Sequence, residues 1–96
     1  MIATFADAAT EDIWNGRETK AARRIPKVIW PVVRRKLDQV NRVTRLDALR
    51  VPPGNRLEAL QGAWAGYYSI RVNDQYRITF MFREEHFYEV CCKDYH

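Results

Sequence analysis

The sequence has 96 residues, 47% of them hydrophobic, which predicts one folded domain over residues 1–96 and excludes an intrinsically disordered chain. Its formal net charge is +4, and none of its apolar runs reaches the about 20 residues that a membrane-spanning helix needs. Because Asp7, Glu11 and Asp12 near the start do not fit a secretory signal, we expect a cytoplasmic protein without a membrane partner.

The N-terminal segment predicts a short strand followed by a short helix. β-Branched and aromatic residues at positions 2–5 suit an extended chain. Asp7 or Thr10 can cap the helix that follows, and Gly16 can close it.

The clearest helix is indicated by apolar residues that recur every three or four positions: Ile25, Val28, Ile29, Val32, Val33, Leu37, Val40 and Val43. Pro31 lies inside this pattern and lacks the backbone N–H that a helix interior needs. It therefore either kinks the helix or marks its true start. One more turn is expected at residues 46–49, before the breaker at residues 52–55.

After this breaker the apolar period changes to two, which is typical of strands. Strands are predicted near residues 57–60, at 68–72, at 76–83 and at 87–92, with turns at Gly62, Asn73-Asp74 and Glu84-Glu85. We therefore predict an α+β domain in which N-terminal helices pack on a four-stranded antiparallel sheet, with the N-terminal segment as a candidate for a further short strand.

Positive charge is concentrated in residues 17–50, which hold eleven Lys or Arg against three acidic residues and are therefore net +8. Such a segment suits a polyanion such as RNA, or an acidic protein, although a basic helix face is often only solvated. If the segment binds ribosomal RNA, we expect the contacts to include Arg34, Arg35 and Lys36.

Two adjacent cysteines, Cys91 and Cys92, fall in the last predicted strand. Alternation along a strand points them to opposite faces, so they are poorly placed to bond each other or to share a metal. We interpret them as small apolar fillers, and we expect neither a metal nor another cofactor.

The end of the chain carries groups suited to cutting RNA. RNA provides its own nucleophile, the 2′-hydroxyl, so a catalyst needs proton-transfer groups and a cation that stabilises charge on the phosphate. Lys93, Asp94, Tyr95 and His96 supply the first kind, and Arg71 and Arg77 on neighbouring strands supply the second. The alternative is that these last residues form only a frayed terminus.

Three motifs carry a resemblance to a known family: residues 52–62 (PPGNRLEALQG), residues 66–80 (GYYSIRVNDQYRITF) and the final Asp94-Tyr95-His96. Together they resemble the HigB branch of the RelE/ParE toxin superfamily over nearly the whole chain. The resemblance implies a RelE-like fold and a toxin that cuts mRNA in the ribosomal A site. It also implies a HigA-type antitoxin as partner, with operator DNA bound only through that antitoxin.

Residue by residue, the resemblance makes Asp94, Tyr95 and His96 the catalytic tail, with His96 as acid or base. Arg77 matches the arginine that stabilises the phosphate, and Gln75 and Tyr76 match its neighbours as RNA contacts, as we expect also for Arg71 and Lys93.

The sequence departs from the family where some members carry a histidine and a lysine on the first sheet strand. This chain has Glu58 and Gln61 there. Glu58 can act as a base or as a surface carboxylate paired with Arg56 or Arg77, whereas Gln61 can contact RNA but cannot supply a charge.

Two other functions stay open. A ParE-like gyrase inhibitor shares this fold, but it does not need the terminal Asp-Tyr-His. A non-catalytic binding module would be indicated by lost catalytic residues, and Glu58 and Gln61 are the two positions that point that way. Aromatic residues of the sheet, such as Trp64 and Tyr76, could stack on bases or simply pack, and packing is favoured for Tyr68.

Overall fold

The structure, a computed structural model, describes residues 1–94. Its two α-helices are α1 (Ala8–Trp14) and α2 (Trp30–Arg42). Four strands, β1 (Glu58–Ala59), β2 (Tyr68–Arg71), β3 (Tyr76–Arg83) and β4 (His86–Asp94), form one antiparallel sheet in the order β1-β2-β3-β4. The predicted α+β architecture is thus confirmed. Within residues 1–94, no helix combines the length and the apolar character needed to cross a membrane.

The N-terminal segment reaches the sheet before it enters α1. Ile2 and Phe5 form parallel bridges with Phe87 and Val90, so the expected short strand runs beside β4. Asp7 then caps α1, because its Oδ1 accepts a hydrogen bond of 3.0 Å from the backbone N–H of Thr10.

Helix α2 begins at Trp30 and carries Pro31 in its first turn, where the missing N–H costs nothing. Pro31 therefore marks the true start of the helix. The expectation that Val28 faces the core is wrong, because Val28 is 84% exposed. Val28 lies in the 3₁₀ turn Lys27–Ile29. A 3₁₀ helix has three residues per turn instead of 3.6, so Val28 does not line up with the buried face of α2.

The core lies between the helices and one face of the sheet. Alternating residues of the three long strands point into it, and α2 contributes a buried stripe. Its members include Trp30, Val33, Leu37, Val40, Ile70, Ile78, Phe80, Phe87, Val90 and Cys92.

The strict alternation predicted for β4 is wrong at Glu89. Phe87 and Val90 are both buried although they are three residues apart. Glu89 has a φ of +53°, and the register against β3 shifts between Thr79 and Met81. A β-bulge, which inserts one extra residue into a strand, accounts for this change of phase.

The two cysteines are free thiols, as the sequence indicated. Burial, with a contribution from the nearby Asp7 carboxylate, raises the pKa of Cys91 to about 11. Burial also raises the pKa of Cys92, to about 12. Both side chains therefore stay protonated at neutral pH. Cys92 is a small buried filler of β4, as expected, whereas the half-buried Cys91 donates from Sγ to Asp7 Oδ2 at 3.4 Å.

Candidate active site

Three cations lie in register on three neighbouring strands. Arg71 of β2 pairs with Arg77 of β3, and Arg77 pairs with Lys93 of β4. Their chain neighbours Ile70, Ile78 and Cys92 point into the core, so these cations occupy the opposite, open face of the sheet. We call Arg71, Arg77 and Lys93 the cation row. Like charges placed directly opposite each other are destabilising, so this row favours binding of an anion.

Arg77 is held firmly within the row. It is only 9% exposed, and its Nε donates a hydrogen bond of 2.8 Å to Ser69 Oγ. Its Nη2 donates to the backbone carbonyl of Arg56 at 2.7 Å and lies 4.0 Å from Glu58 Oε1. These contacts fix the orientation of the guanidinium. Such preorganisation is what a group needs in order to stabilise the charge that develops on a phosphate during reaction.

Glu58 lies on the same face, because β1 pairs Glu58 with Ser69 of β2. Its carboxylate is about half exposed and forms the surface ion pair with Arg77 that the sequence left as one of two alternatives. Gln61 is exposed and lies in the loop between β1 and β2, just before the turn Gly62–Trp64. Its side chain makes no capping hydrogen bond to the turn that follows.

The β2–β3 turn meets the end of β4. Asn73 Oδ1 accepts hydrogen bonds from the backbone N–H groups of Gln75 and Tyr76, which fixes the turn. Gln75 Nε2 then donates to Asp94 Oδ2 at 2.9 Å, and Tyr76 is the register partner of Asp94. Arg71 forms an ion pair with Asp74 in the same turn. Gln75, Tyr76 and Asp94 are thus brought together at the end of the sheet. Tyr76 and Asp94 alternate with Arg77 and Lys93 along their strands, so they belong to the face toward the N-terminal helices.

Tyr95 and His96, the other two residues of the predicted catalytic tail, lie outside the described residues. In the chain they follow Asp94 directly. A cleft of about 370 Å³ opens at this end of β4, between the strand and the N-terminal helical layer. Its lining includes Arg24, Tyr76, Lys93 and Asp94.

Lys93 has an aromatic partner that the sequence did not reveal. Its Nζ lies 3.6 Å from the centroid of the Trp64 ring. Trp64 belongs to the 3₁₀ turn Gly62–Trp64 between β1 and β2, and it makes an edge-on contact with Tyr67 at 5.0 Å between ring centroids. The only sequence signal was an aromatic residue in a loop, which does not indicate its partner.

The three basic residues predicted on α2 do not form one surface, because successive helix residues point about 100° apart. Arg34 Nε donates to the carbonyl of Ile13 at 3.1 Å and so ties α2 to α1. Lys36 Nζ donates to Asn55 Oδ1, and burial, aided by the charges of Arg35 and Arg71, lowers the pKa of Lys36. Arg35 is exposed.

Within the motif of residues 52–62, Asn55 has a structural role. It is fully buried, and its Nδ2 donates to Gln39 Oε1 at 3.0 Å and to the Leu49 carbonyl at 3.1 Å. Together with Lys36 these bonds fasten the 3₁₀ turn Pro53–Asn55 to α2. The adjacent Arg56, whose carbonyl accepts from Arg77, is thereby placed beside the site.

Among residues 1–94, no group of three or more His, Cys, Asp and Glu side chains is arranged to hold a metal ion. The chemistry that the described site offers consists of cations, the carboxylates of Glu58 and Asp74 beside them, and the carboxylate of Asp94.

Known proteins are similar to this chain in sequence and in fold. Toxin HigB-1 of Vibrio cholerae serotype O1 is 40% identical over 80 residues, which are 83% of this chain and 82% of that protein. In structure, the YoeB–YefM complex from Staphylococcus aureus matches with a TM-score of 0.61 at 17% identity, covering 100% of this chain and 98% of that one. A YafQ variant from E. coli matches with a TM-score of 0.57 at 14% identity, covering 98% and 93%. Residues 3–96 match the family described as the RelE-like toxin of type II toxin-antitoxin system HigB. The chain therefore belongs to the HigB-like toxins of type II toxin-antitoxin systems, which have the RelE-like fold.

Proposed function

We propose that this toxin is a metal-independent endoribonuclease that cuts mRNA on the ribosome and so inhibits translation. The observation that carries this proposal is the cation row, Arg71, Arg77 and Lys93, which ends on β4 at Lys93, the residue before Asp94. A row of positive charges that leads in the chain to a predicted proton-transfer tail suits a phosphodiester whose charge increases during reaction.

The reaction uses the 2′-hydroxyl of the RNA itself. The 2′-oxygen attacks the phosphorus, the bond to the 5′-oxygen breaks, and a cyclic phosphate and a free 5′-hydroxyl result. One group must accept the proton of the 2′-hydroxyl, and another must give a proton to the leaving 5′-oxygen. Because the nucleophile belongs to the substrate, the step requires no metal-bound water.

We assign His96 to proton transfer, with Tyr95 holding or protonating the substrate and Asp94 orienting the tail. Arg77 stabilises the phosphate, and its ties to Ser69 and Arg56 keep it in place. Glu58 lies 4.0 Å from Arg77 and is the second candidate base.

The remaining predicted residues contact RNA rather than the reacting atoms. Near the cation row we assign this role to Arg71, Lys93, Gln75, Tyr76 and Gln61. On α2 the exposed Arg35 suits ribosomal RNA phosphates, and Arg34 and Lys36 add positive charge beside it although both also bind within the protein.

A cognate HigA-type antitoxin would neutralise the toxin, and operator DNA would be bound only through that antitoxin. Membership of a type II toxin-antitoxin family supports an antitoxin partner, and the matching Staphylococcus aureus structure is a complex of YoeB with YefM. The place of action would be the cytoplasm, where ribosomes translate mRNA.

The test is primer extension on an mRNA incubated with the purified protein, with and without programmed ribosomes. We expect cuts within codons only when ribosomes are present. They should be lost in His96→Ala and kept in the control His86→Ala, which removes an exposed histidine at the start of β4.

Cuts on bare RNA would contradict the dependence on ribosomes. Undiminished cutting by His96→Ala would contradict the catalytic tail. No cuts in either mixture would favour a ParE-like gyrase inhibitor or a non-catalytic binding module.

A further inference from the structure

The loop between β1 and β2 folds across the open face of the sheet. Trp64, in this loop, reaches Lys93 on β4, although β2 and β3 lie between β1 and β4 in the sheet. Gly66 of the same loop lines a cleft of about 340 Å³ together with Met81 of β3 and Tyr88 of β4. The contact of Trp64 with Lys93 and the shared cleft at Gly66 thus place the loop over the face that carries the cation row.

The contact between Trp64 and Lys93 is a cation–π interaction of short range. The Lys93 ammonium is 3.6 Å from the ring centroid, well inside the about 6 Å within which such attraction is effective. Tyr67 contacts the indole edge-on and supports the ring from the loop itself. Trp64 nevertheless stays 45% exposed, so its ring is not merely a core residue.

Lys93 needs a partner of this kind. Its register partner on β3 is Arg77, which has the same charge, so repulsion would drive the flexible lysine side chain toward solvent. Arg77 is fixed by Ser69 and Arg56, so Lys93 is the cation of this pair that can move away. The negative face of the indole opposes that movement without neutralising the charge, as a carboxylate would.

We propose that Trp64 is a positioning residue of the site: it holds the Lys93 ammonium beside Arg77, so that two cations face one phosphate. The proposal rests on the function proposed above. It assigns to the β1–β2 loop a role in the reaction that acts entirely through Lys93.

The experiment is a double-mutant cycle of Trp64→Leu and Lys93→Met, read as the single-turnover rate of ribosome-bound mRNA cleavage. Trp64→Leu should lower the rate by roughly three- to thirty-fold, the range that corresponds to one cation–π contact. Lys93→Met removes the cation itself and should lower the rate at least as much. The double variant should be no slower than Lys93→Met alone, because Trp64 acts through Lys93. Trp64→Phe, which keeps an aromatic ring, should restore most of the rate.

Lys27→Met is the matched control. Lys27 also lies over a tryptophan, with Nζ 5.9 Å from the Trp30 ring centroid, but it lies in the turn before α2 and not on the open face. Its loss should leave the cleavage rate unchanged. A second readout needs no RNA: ring currents of Trp64 should shift the ε-methylene protons of Lys93 in NMR spectra, and Trp64→Leu should abolish that shift.

Full activity of Trp64→Leu, or losses that add in the double variant, would overturn the proposal while the nuclease function stands. A base-stacking role for Trp64 would appear as weaker substrate binding that persists in the Lys93→Met background, and it would overturn the proposal too. If the unmodified protein shows no His96-dependent cleavage at all, the proposed function itself has failed.

Discussion

The guanidinium of Arg77 donates to Ser69 Oγ and to the Arg56 carbonyl, two acceptors that precede it by 8 and 21 residues in the chain. These bonds link β3 to β2 and to the segment before β1. Arg77 is also the middle member of the cation row. Loss of this side chain therefore removes a structural link together with the proposed phosphate contact, and the two effects have to be measured separately.

We expect Arg77→Ala to lower the free energy of unfolding by about 2–4 kcal/mol, because the buried Ser69 hydroxyl and the partly buried Arg56 carbonyl lose a charged donor. We also expect it to abolish mRNA cleavage at temperatures where it is folded. Ser69→Ala is the control, since it removes one bond to Arg77 and leaves the bond to the Arg56 carbonyl. It should cost about 1–2 kcal/mol and retain most of the cleavage. Urea unfolding and primer extension measure the two quantities, and normal cleavage by folded Arg77→Ala would exclude Arg77 from the reaction.

The sequence predicted that Arg71 and Arg77 lie on neighbouring strands, because alternating apolar residues on both sides of the Asn73-Asp74 turn indicate a hairpin. It did not predict that Arg77 is buried, or that Trp64 contacts Lys93. Arg77 is covered partly by the Arg56 segment, and Lys93 is contacted by Trp64 in the β1–β2 loop. The path of such loop segments depends on tertiary packing, which leaves no periodic pattern in the sequence.

At the level of elements, apolar periodicity located α2 and the long strands but not their irregularities. Pro31 correctly marked a possible helix start, because its physical constraint is local. The turn Lys27–Ile29 and the bulge at Glu89 were missed, because each changes the phase of the pattern by a single residue. The regular spacing of apolar residues in a strand or a helix does not indicate where a turn or a bulge shifts that spacing.

The β3–β4 hairpin contains a correctable source of strain. Glu84 and Glu85 have φ angles of +51° and +70°, which a two-residue turn demands but side chains with a Cβ disfavour. Replacing them with Asn and Gly, Glu84→Asn with Glu85→Gly, should raise the free energy of unfolding by about 1–2 kcal/mol. Urea unfolding measures the gain.

The control for this turn is Glu84→Gln with Glu85→Gln, which removes the same two charges but keeps the strained backbone. It should give little or none of the gain, and an equal gain would assign the effect to charge repulsion instead. Cleavage should be unchanged in both variants, because the turn lies at the opposite end of β3 from Arg77.

At the scale of the whole molecule, the positive charge of residues 17–50 is not uniformly available. Acidic neighbours pair with Arg17, Lys27, Arg42 and Arg45 on the surface. The ion pairs found within residues 1–94 do not include Lys20, Arg23, Arg24 or Arg35, and all four of these side chains are exposed. The predicted basic surface is therefore narrower than the composition of the segment suggested.

Arg35 gives the clearest test of contact with ribosomal RNA. Charge reversal of Arg34 or Lys36 would also break a bond to Ile13 or Asn55, so lost binding could reflect lost stability. Arg35→Glu avoids this problem. If Arg35 contacts one phosphate, ribosome affinity should fall, and the slope of log affinity against log salt should become shallower by roughly one unit.

The matched control is Arg45→Glu, which changes the net charge of +4 by the same two units at a residue paired with Asp47. Long-range attraction between the toxin and the ribosome depends on net charge, so it would weaken equally in both variants. A contact with RNA would instead change the salt slope for Arg35→Glu alone. If Arg35→Glu and Arg45→Glu instead changed the salt slope of ribosome affinity equally, Arg35 would not contact ribosomal RNA. The basic segment would then act only by attracting the toxin toward the ribosome over long range.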